Sequence, residues 1–309
     1  MLQITEQQVR DLLPMGECVA RMRECFAALG RGEAVNVPRR RLMLATGTVM
    51  HQMAGAWGGY LGTKIYATNV KRGAMHFHML LYDAASAEPL ALIEANHLGQ
   101  MRTGAATGVA TDLLAPAEVS TVALIGSGTQ AWTQLEAVLT VRRARAVRVY
   151  SRKPEKRESF AARASAAFGV EVTAAPTAEA CVRGAQVVIT ATYAKQPVLE
   201  SAWVEEEAHV NATGANQADR REIPSELVRS AGLIAVDSIE QAKLEAGDLL
   251  LAVPESEWGQ LRLVELGRLA ADARFQRPRG VTIFESLGLG VEDVAAAALV
   301  YEKLAGKAA

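Results

Sequence analysis

The amino-acid sequence predicts an α/β protein in which a doubly wound parallel sheet is joined to a second, α+β domain. From Val119 onward short apolar runs alternate with helical patterns, which is typical of parallel strands with helices on both faces. The preceding part has two helical patterns followed by extended segments, as in an antiparallel sheet. With 309 residues, 50% of them hydrophobic, the chain is long enough to bury two cores.

The first part of the chain is predicted to contain both helices and strands. The second helix should end at Leu29 and be closed by Gly30 and Gly32, because glycine is the usual residue after the last helical turn. Pro116 marks the crossing into the second part. The predicted elements are helices over 5–13, 15–29 and 104–114 and strands over 75–82 and 90–95. Residues 1–118 are therefore one predicted domain, and an Ala-rich apolar helix over 291–309 is expected to pack back on it.

The second part, residues 119–290, is predicted to hold the parallel sheet. Each apolar run is short enough for a buried strand and is followed by a helix or turn signal. Pro154 suits the first position of the helix over 154–168, where no backbone N–H is needed. The predicted strands are 122–125, 147–150, 170–173, 187–191, 209–212, 233–236 and 282–284.

The glycines directly after the first of these strands predict a dinucleotide site of the Rossmann type. Gly126 permits a tight turn, Gly128 lets the backbone approach a pyrophosphate, and small Ala131 allows close packing of helix on strand. The start of the following helix then faces the phosphates. The residues expected to contact the cofactor here are Gly126, Gly128, Thr129, Gln130 and Ala131.

The end of the second strand favours NADP(H) over NAD(H). An NAD site usually has a carboxylate about 20 residues after the glycines, where it binds the ribose 2′-hydroxyl. Here the strand is followed by Ser151, Arg152 and Lys153, and no acid is present. A guanidinium beside a hydroxyl suits a 2′-phosphate. The alternative is a solvated Arg-Lys pair with NAD(H) as cofactor.

Composition excludes several other classes. The formal charge is −1, with 33 basic and 34 acidic residues, so no overall field attracts nucleic acid or a membrane surface. No stretch reaches the roughly 18 apolar residues of a membrane span, and the N-terminus lacks the pattern of a secretory signal. The three cysteines lack metal-ligand spacing. We therefore expect a cytoplasmic protein with reduced thiols.

Several motifs, taken together, resemble the ornithine cyclodeaminase/mu-crystallin family over essentially the whole chain. Two of them carry a basic residue, Lys64 or Arg102, and each of these would be interpreted as a solvated side chain if taken singly. The motifs are 62–64 (Gly-Thr-Lys), 102–107 (Arg-Thr-Gly-Ala-Ala-Thr), the turn at 126–131, 236–238 with 245–248, and 284–288 (Phe-Glu-Ser-Leu-Gly). The family acts on carbon–nitrogen bonds beside a carboxylate, so this resemblance implies the same chemistry here.

The resemblance also implies roles for single residues. Arg40, two places after Pro38, and Arg102 are similar to the cations that bind the substrate carboxylate in the family, and Lys64 to its central lysine. A bidentate guanidinium would fix the carboxylate plane, and a lysine beside two such groups is suited to exchange a proton. By the same resemblance Thr103 approaches the phosphates, Thr192 the ribose, and Ser286 to Gly288 the nicotinamide side.

One position departs from the family. Cyclodeaminases and the alanine dehydrogenase have an aspartate in a Gly-x-Asp sequence after the fifth strand, and this chain has Asn216 there. An amide cannot take up a proton, so Asn216 orients a substrate but is no general base. Asp219 is the candidate substitute. Met53 and His51 are expected to line the pocket beside Asn216, whereas His76 and His78 lack a third partner at matching spacing, so no metal is expected.

The sequence therefore predicts an NAD(P)H-dependent oxidoreductase, an imine reductase or amino-acid dehydrogenase acting on a small imino or amino acid. The neutral pocket favours a small or apolar substrate over a dicarboxylate. The alternatives are ornithine cyclodeaminase, which releases ammonia without net cofactor change, and a protein of the mu-crystallin type that binds NADPH and a small ligand. By resemblance the protein is a homodimer formed through the N-terminal domains, with their sheets covering an otherwise exposed edge.

Overall fold

The computed structural model describes residues 1–306 and contains two β-sheets that fall on either side of residue 118. Residues 307–309, the end of the helix predicted over 291–309, lie outside the described part. The first sheet has six strands and the second has eight. The predicted fold class is confirmed, because the eight strands are all parallel and lie between two layers of helices.

The first sheet is antiparallel except at one edge. Its order is β1-β6-β5-β4-β3-β2, and only β1 runs parallel to its neighbour. The elements of this part are β1 (Leu2–Ile4), α1 (Glu6–Leu12), α2 (Met15–Arg31), β2 (Val35–Met43), β3 (Val49–Trp57), β4 (Tyr60–Asn69), β5 (Ala74–Asp83), β6 (Pro89–Glu94) and α3 (Asn96–Leu114). Thr5 caps α1, and Gly32, in the left-handed conformation, ends α2 as predicted, whereas Gly30 lies within the helix.

The helix α3 begins at Asn96, eight residues before the start predicted at residue 104. Gly99 and Gly104 resemble helix breakers in the sequence. In the structure, however, Gly104 is where α3 crosses the helix Thr129–Val141. A Cβ there would overlap the backbone of Thr133. The glycine is therefore retained for close packing of two helices and does not interrupt α3.

The second sheet has the strand order β13-β12-β14-β11-β10-β7-β8-β9. Seven of its strands were predicted, and the short edge strand β13 was not. Its strands are β7 (Thr121–Ile125), β8 (Ala146–Tyr150), β9 (Glu171–Ala174), β10 (Val187–Thr190), β11 (His209–Ala212), β12 (Leu233–Val236), β13 (Leu263–Glu265) and β14 (Thr282–Glu285). The helices are α4 (Thr129–Val141), α5 (Pro154–Phe168), α6 (Ala178–Val182), α7 (Ser225–Ser230), α8 (Ile239–Glu245), α9 (Gly247–Leu250) and α10 (Leu266–Ala271).

The last helix, α11 (Gly290–Leu304), returns to the first sheet. Val291 and Val294 belong to the same buried cluster as Met79 of β5. The backbones come unusually close where α11 begins, since a Cβ on Gly290 would lie 2.6 Å from the nitrogen of Ala54. This contact places the first turn of α11 directly against the inner face of β3.

Candidate active site

The glycine-rich turn after β7 has the geometry that the sequence predicts. Gly126 has φ +129°, and a Cβ there would overlap the carbonyl of Ala191. Gly128 caps α4 with open space around it, and Ala131 is fully buried where the helix meets the sheet. Thr129 and Gln130 are exposed in the first turn of α4. An approaching phosphate therefore meets free backbone N–H groups.

Basic side chains surround the end of β8. Ser151 lies beside the glycine turn, where the Ser127 hydroxyl donates to its Oγ over 3.0 Å. Arg152 and Lys153 are exposed. Arg157, one turn into α5, donates to the Ser151 carbonyl over 2.9 Å and lies 5.3 Å from the centre of the Tyr150 ring. Arg157 was missed in the sequence because its approach to Ser151 depends on how α5 begins.

Three cations are buried together on the inner side of the first sheet. Lys64 of β4 is 2% exposed, Arg102 of α3 is 5% exposed and Arg39 of β2 is 8% exposed. Buried cations need partners, because removing them from water is costly. The structure therefore brings together two of the three basic residues predicted from the sequence, Lys64 and Arg102.

The third predicted cation, Arg40, lies on the opposite face, so its predicted role is wrong. Strand β2 has a bulge, since Val37 pairs with Ala54 and Arg40 with Gln52, which leaves one extra residue on β2. The bulge lies at Pro38, which cannot donate to a sheet ladder. It reverses the alternation of side chains, so Arg39 points inward and Arg40 outward. Arg39 takes the place expected for Arg40.

Acidic residues from the second half of the chain neutralise these cations. Asp293 Oδ1 accepts from Lys64 Nζ over 2.6 Å and from Arg102 Nε over 2.9 Å. Glu292 Oε2 accepts from Arg102 Nη1 over 3.0 Å. Glu245 of α8 pairs with Arg39 over 3.1 Å and with Arg41 over 2.5 Å. None of these acids was assigned a role from the sequence, although buried cations imply such partners.

Lys64 is poised to exchange a proton near neutral pH. Burial and the neighbouring Arg102 lower its pKa, and Asp293 opposes them, so that the pKa is about 7. For Arg102 burial opposes the charge, but the carboxylates of Asp293 and Glu292 outweigh it and raise the pKa above its ordinary value. One cation of the cluster can thus lose its charge while another keeps it.

The turn after β14 joins this cluster to the carboxyl edge of the parallel sheet. Arg39 Nη2 donates to the carbonyls of Leu287 and Gly288, over 2.7 and 3.1 Å. Asp237, at the end of β12, accepts from the N–H groups of the same two residues. Gly288 has φ +78°, and a Cβ there would overlap the guanidinium of Arg102. The buried Ser286 hydroxyl has no hydrogen-bond partner within residues 1–306.

The predicted contacts on the neighbouring strands and helix have different surroundings. Thr103, on the helix next to Arg102, donates its hydroxyl to the Gly99 carbonyl over 2.7 Å. Thr192, after β10, donates its backbone N–H to Glu222 over 2.6 Å, and the same carboxylate accepts from Gly214 N over 2.7 Å. Glu222 therefore ties together the loops after β10 and β11, another function that the sequence did not reveal.

An aromatic wall borders the cations. His51 of β3 stacks on Tyr66, with ring centres 4.2 Å apart and planes 2° apart. Met53 is 1% exposed and pairs with Lys64 across the strands. Burial, with the charges of Arg41, Arg39 and Lys64, lowers the pKa of His51 to about 4. His51 is therefore uncharged at neutral pH.

Asn216 lies next to Arg41 of β2, and its main-chain oxygen accepts a hydrogen bond from the Arg41 guanidinium over 3.1 Å. Asp219, the candidate substitute for a missing acid, is exposed and pairs with Lys195 over 3.0 Å. His76 and His78 are exposed on the outer face of β5.

The part of the chain that the structure describes contains no group of three or more potential metal ligands. Within the same residues, none of the helices is both long enough and apolar enough to cross a membrane.

The chain is similar to known proteins over nearly its whole length. The ornithine cyclodeaminase/mu-crystallin family profile matches residues 1–308. The ketimine reductase mu-crystallin of Mus musculus is 36% identical over 224 residues, which are 72% of this chain and 68% of that protein.

Two solved structures share the fold. The Delta(1)-pyrroline-2-carboxylate reductase of Thermococcus litoralis, in complex with NADH and L-proline, has a TM-score of 0.92 and 32% identity, covering 99% of this chain and 98% of the other. An archaeal alanine dehydrogenase dimer with bound NAD also gives 0.92, at 30% identity over 99% and 97% of the two chains. This chain therefore belongs to the ornithine cyclodeaminase/mu-crystallin family.

Proposed function

We propose that the protein is an NADP(H)-linked reductase of a small imino acid. The observation that carries this proposal is the buried group of Arg39, Lys64 and Arg102, which touches the turn at Leu287 and Gly288 beside the carboxyl edge of the parallel sheet. Ligands of open α/β sheets bind at that edge. An acid group held by the cations therefore lies next to a dinucleotide bound at Gly126.

The residues divide the work of reducing a carbon–nitrogen double bond. A reduced nicotinamide, when bound, supplies hydride to the carbon. Arg39 and Arg102 hold the neighbouring carboxylate and so fix the carbon in reach of that hydride. Lys64 gives a proton to the nitrogen, which completes the amine and leaves the lysine neutral. The relatives support this chemistry, because they include ketimine and pyrroline-2-carboxylate reductases.

We further propose a preference for NADPH. The support is the absence of an acid after β8 together with Ser151, Arg152, Lys153 and Arg157 around that strand end. A 2′-phosphate there would meet charge-assisted donors, whereas an NAD ribose would find no carboxylate acceptor. The Michaelis constants for NADPH and NADH measure this directly, and a lower constant for NADH would reject the preference.

We also propose that the working form is a homodimer built through the first domain, residues 1–118 with α11. The outer face of its sheet carries exposed apolar side chains on adjacent strands, among them Leu42, Met50 and Ile65. Such a patch usually marks an interface. The related archaeal alanine dehydrogenase was solved as a dimer. Light scattering at micromolar concentration would test this, and a monomer would contradict it.

The activity is tested with a panel of candidate substrates and both nicotinamide cofactors. The panel contains cyclic ketimines, pyruvate with ammonia or methylamine, and ornithine. We expect NADPH to be consumed in equal amount to the amine formed from a small, neutral imino acid. Release of ammonia from ornithine without net change in the cofactor would show a cyclodeaminase instead. Tight NADPH binding without turnover would show a binding protein.

A further inference from the structure

The carboxylate of Asp293 connects two cations that come from different elements. One oxygen, Oδ1, accepts from Lys64 Nζ at 2.6 Å and from Arg102 Nε at 2.9 Å, while Oδ2 is buried without a partner within residues 1–306. Asp293 itself is fully buried. A carboxylate in this position fixes the lysine relative to the arginine that is expected to hold the substrate.

The Lys64 side chain needs such a tether. Its four-carbon stem is flexible, and its ammonium has three N–H donors. Within the described residues Asp293 is its one hydrogen-bond acceptor. Its neighbours also include Met53, the Tyr66 ring at 5.6 Å and the backbone near Gly99. With one donor held by Asp293, two donors remain for a substrate.

We propose that Asp293 is a positioning residue: by joining Lys64 to Arg102 through one oxygen, it holds the ammonium where the substrate nitrogen takes up its proton. This inference rests on the proposed function, because it assumes that Lys64 is the proton donor. It assigns to the start of α11 a part in the reaction, beyond closing the core of the first domain.

The charges around Lys64 set the direction of the expected effect. Arg39 on β2 and Arg102 on α3 disfavour the charged lysine, and Asp293 on α11 favours it, while His51 on β3 is neutral. Glu292 is the neighbour of Asp293 in the chain. Within the described residues it forms an ion pair with Arg102 and none with Lys64. Removing the charge of Asp293 therefore lowers the pKa of Lys64 below about 7, whereas the same change at Glu292 perturbs Arg102 first.

The test compares Asp293→Asn with the matched control Glu292→Gln. Both variants remove a carboxyl group that accepts a hydrogen bond from Arg102, but only the first removes the acceptor of Lys64. The Lys64 amine is titrated by NMR with lysine labelled at Cε, assigned with Lys64→Ala. We expect Asp293→Asn to lower the pKa of Lys64 by about 1 unit or more. In Glu292→Gln it should stay within a few tenths of a unit of wild type.

The rates should follow. Reduction needs the charged lysine, so its kcat falls as pH rises through the pKa of Lys64, and in Asp293→Asn this fall occurs at lower pH. Amine oxidation needs the neutral lysine, so its kcat increases as pH rises through the pKa of Lys64. In Asp293→Asn this increase should occur at a lower pH than in the wild type. We expect kcat of reduction at pH 7 to drop roughly fivefold or more, because a pKa lowered from about 7 by about 1 unit takes the charged fraction of Lys64 from about one half to about one tenth. Glu292→Gln should mainly raise KM.

The conservative variant Asp293→Glu provides the second check. It keeps the charge but moves the oxygens by one methylene, so the pKa of Lys64 should remain near the wild-type value while kcat falls. It also serves if Asp293→Asn does not fold. NADPH binding, followed by fluorescence, should be unchanged in every folded variant. A Lys64 titration and a kcat that are the same as wild type in each folded Asp293 variant would overturn the inference.

Failure of the proposed function gives a different result. If Asp293→Asn shifts the Lys64 titration but the rate profile of the wild type does not follow the pKa of Lys64, Asp293 still positions the lysine and the lysine is not the proton donor. If the rate profile follows Lys64 but neither its titration nor kcat changes in Asp293→Asn, the role of Lys64 stands and the inference on Asp293 is wrong.

Discussion

The sharpest prediction concerns Arg39 and Arg40, because the structure places Arg39 in the proposed substrate site where the sequence predicts Arg40. Both residues are changed separately to glutamine, which keeps a polar side chain but removes the guanidinium and its charge. Arg39 is 8% exposed and its guanidinium contacts the Leu287 and Gly288 carbonyls and Glu245, whereas Arg40 is exposed on the outer face of β2. Only Arg39→Gln should affect carboxylate binding.

The expected magnitude follows from the contacts. A charge-assisted, bidentate pair between a buried guanidinium and a carboxylate contributes about 2 to 3 kcal/mol, which corresponds to roughly a 30- to 160-fold rise in KM for the imino acid. Arg40→Gln should leave KM within about twofold of wild type, because its side chain is solvated. The Kd for NADPH should not change in either variant.

Steady-state kinetics at saturating NADPH measures both variants, with circular dichroism to show that they are folded. If Arg40→Gln raised KM as strongly and Arg39→Gln did not, Arg40 and not Arg39 would bind the carboxylate, and the reasoning from the bulge at Pro38 would be refuted. Light scattering is needed as a control for Arg40→Gln, since Arg40 lies on the face proposed to form the dimer.

Three further predictions concern other parts of the molecule. Gly288→Ala should lower the free energy of unfolding by about 2 kcal/mol or more, because its φ is +78° and the new Cβ would overlap the Arg102 guanidinium; urea unfolding measures this, and wild-type stability would contradict it. The double change of Arg152 and Lys153 to glutamine should raise KM for NADPH at least about tenfold and leave that for NADH unchanged; equal effects on both would reject a 2′-phosphate site. Burial lowers the pKa of His209 to about 3, so as pH falls the unfolded chain binds the His209 proton before the folded chain does. Between pH 7 and 5 the free energy of unfolding of the wild type should therefore fall by about 2 kcal/mol more than that of His209→Asn. Urea unfolding at the two pH values measures this, and an equal loss of stability in both proteins would contradict it.

Sequence patterns located the parallel sheet well because its central strands are buried on both faces. An apolar run such as Val187–Thr190 has few alternatives when turn residues bound it. The edge strand Leu263–Glu265 was missed since it is only half-buried and three residues long. The early start of α3 was missed because glycines that serve helix packing have the same appearance in sequence as glycines that end helices.

The candidate site was predicted in part. Lys64 and Arg102 follow from motifs, because their positions depend on regular elements. Arg39 does not, since a bulge of one residue exchanges the two faces of a strand and leaves little trace in the sequence. The acids Glu245 and Asp293 were missed for another reason, because their partners lie far away in the chain. Asp293 also lies in the first turn of α11, where an acidic residue is usually explained by the helix dipole.

The close approach of Gly290 to Ala54 has a consequence for how the protein is made. Lys64 and Asp293 are separated by 229 positions, and Arg102 and Asp293 by 191, so the cations are synthesised long before their counter-charges. Until α11 docks on β3, the cations on the inner side of the first sheet have no carboxylate partner to offset the free energy that their removal from water costs. Docking of the last helix therefore completes the hydrophobic core of the first domain and pairs the buried cations with their carboxylates in one event, and a chain interrupted before residue 290 should lack both.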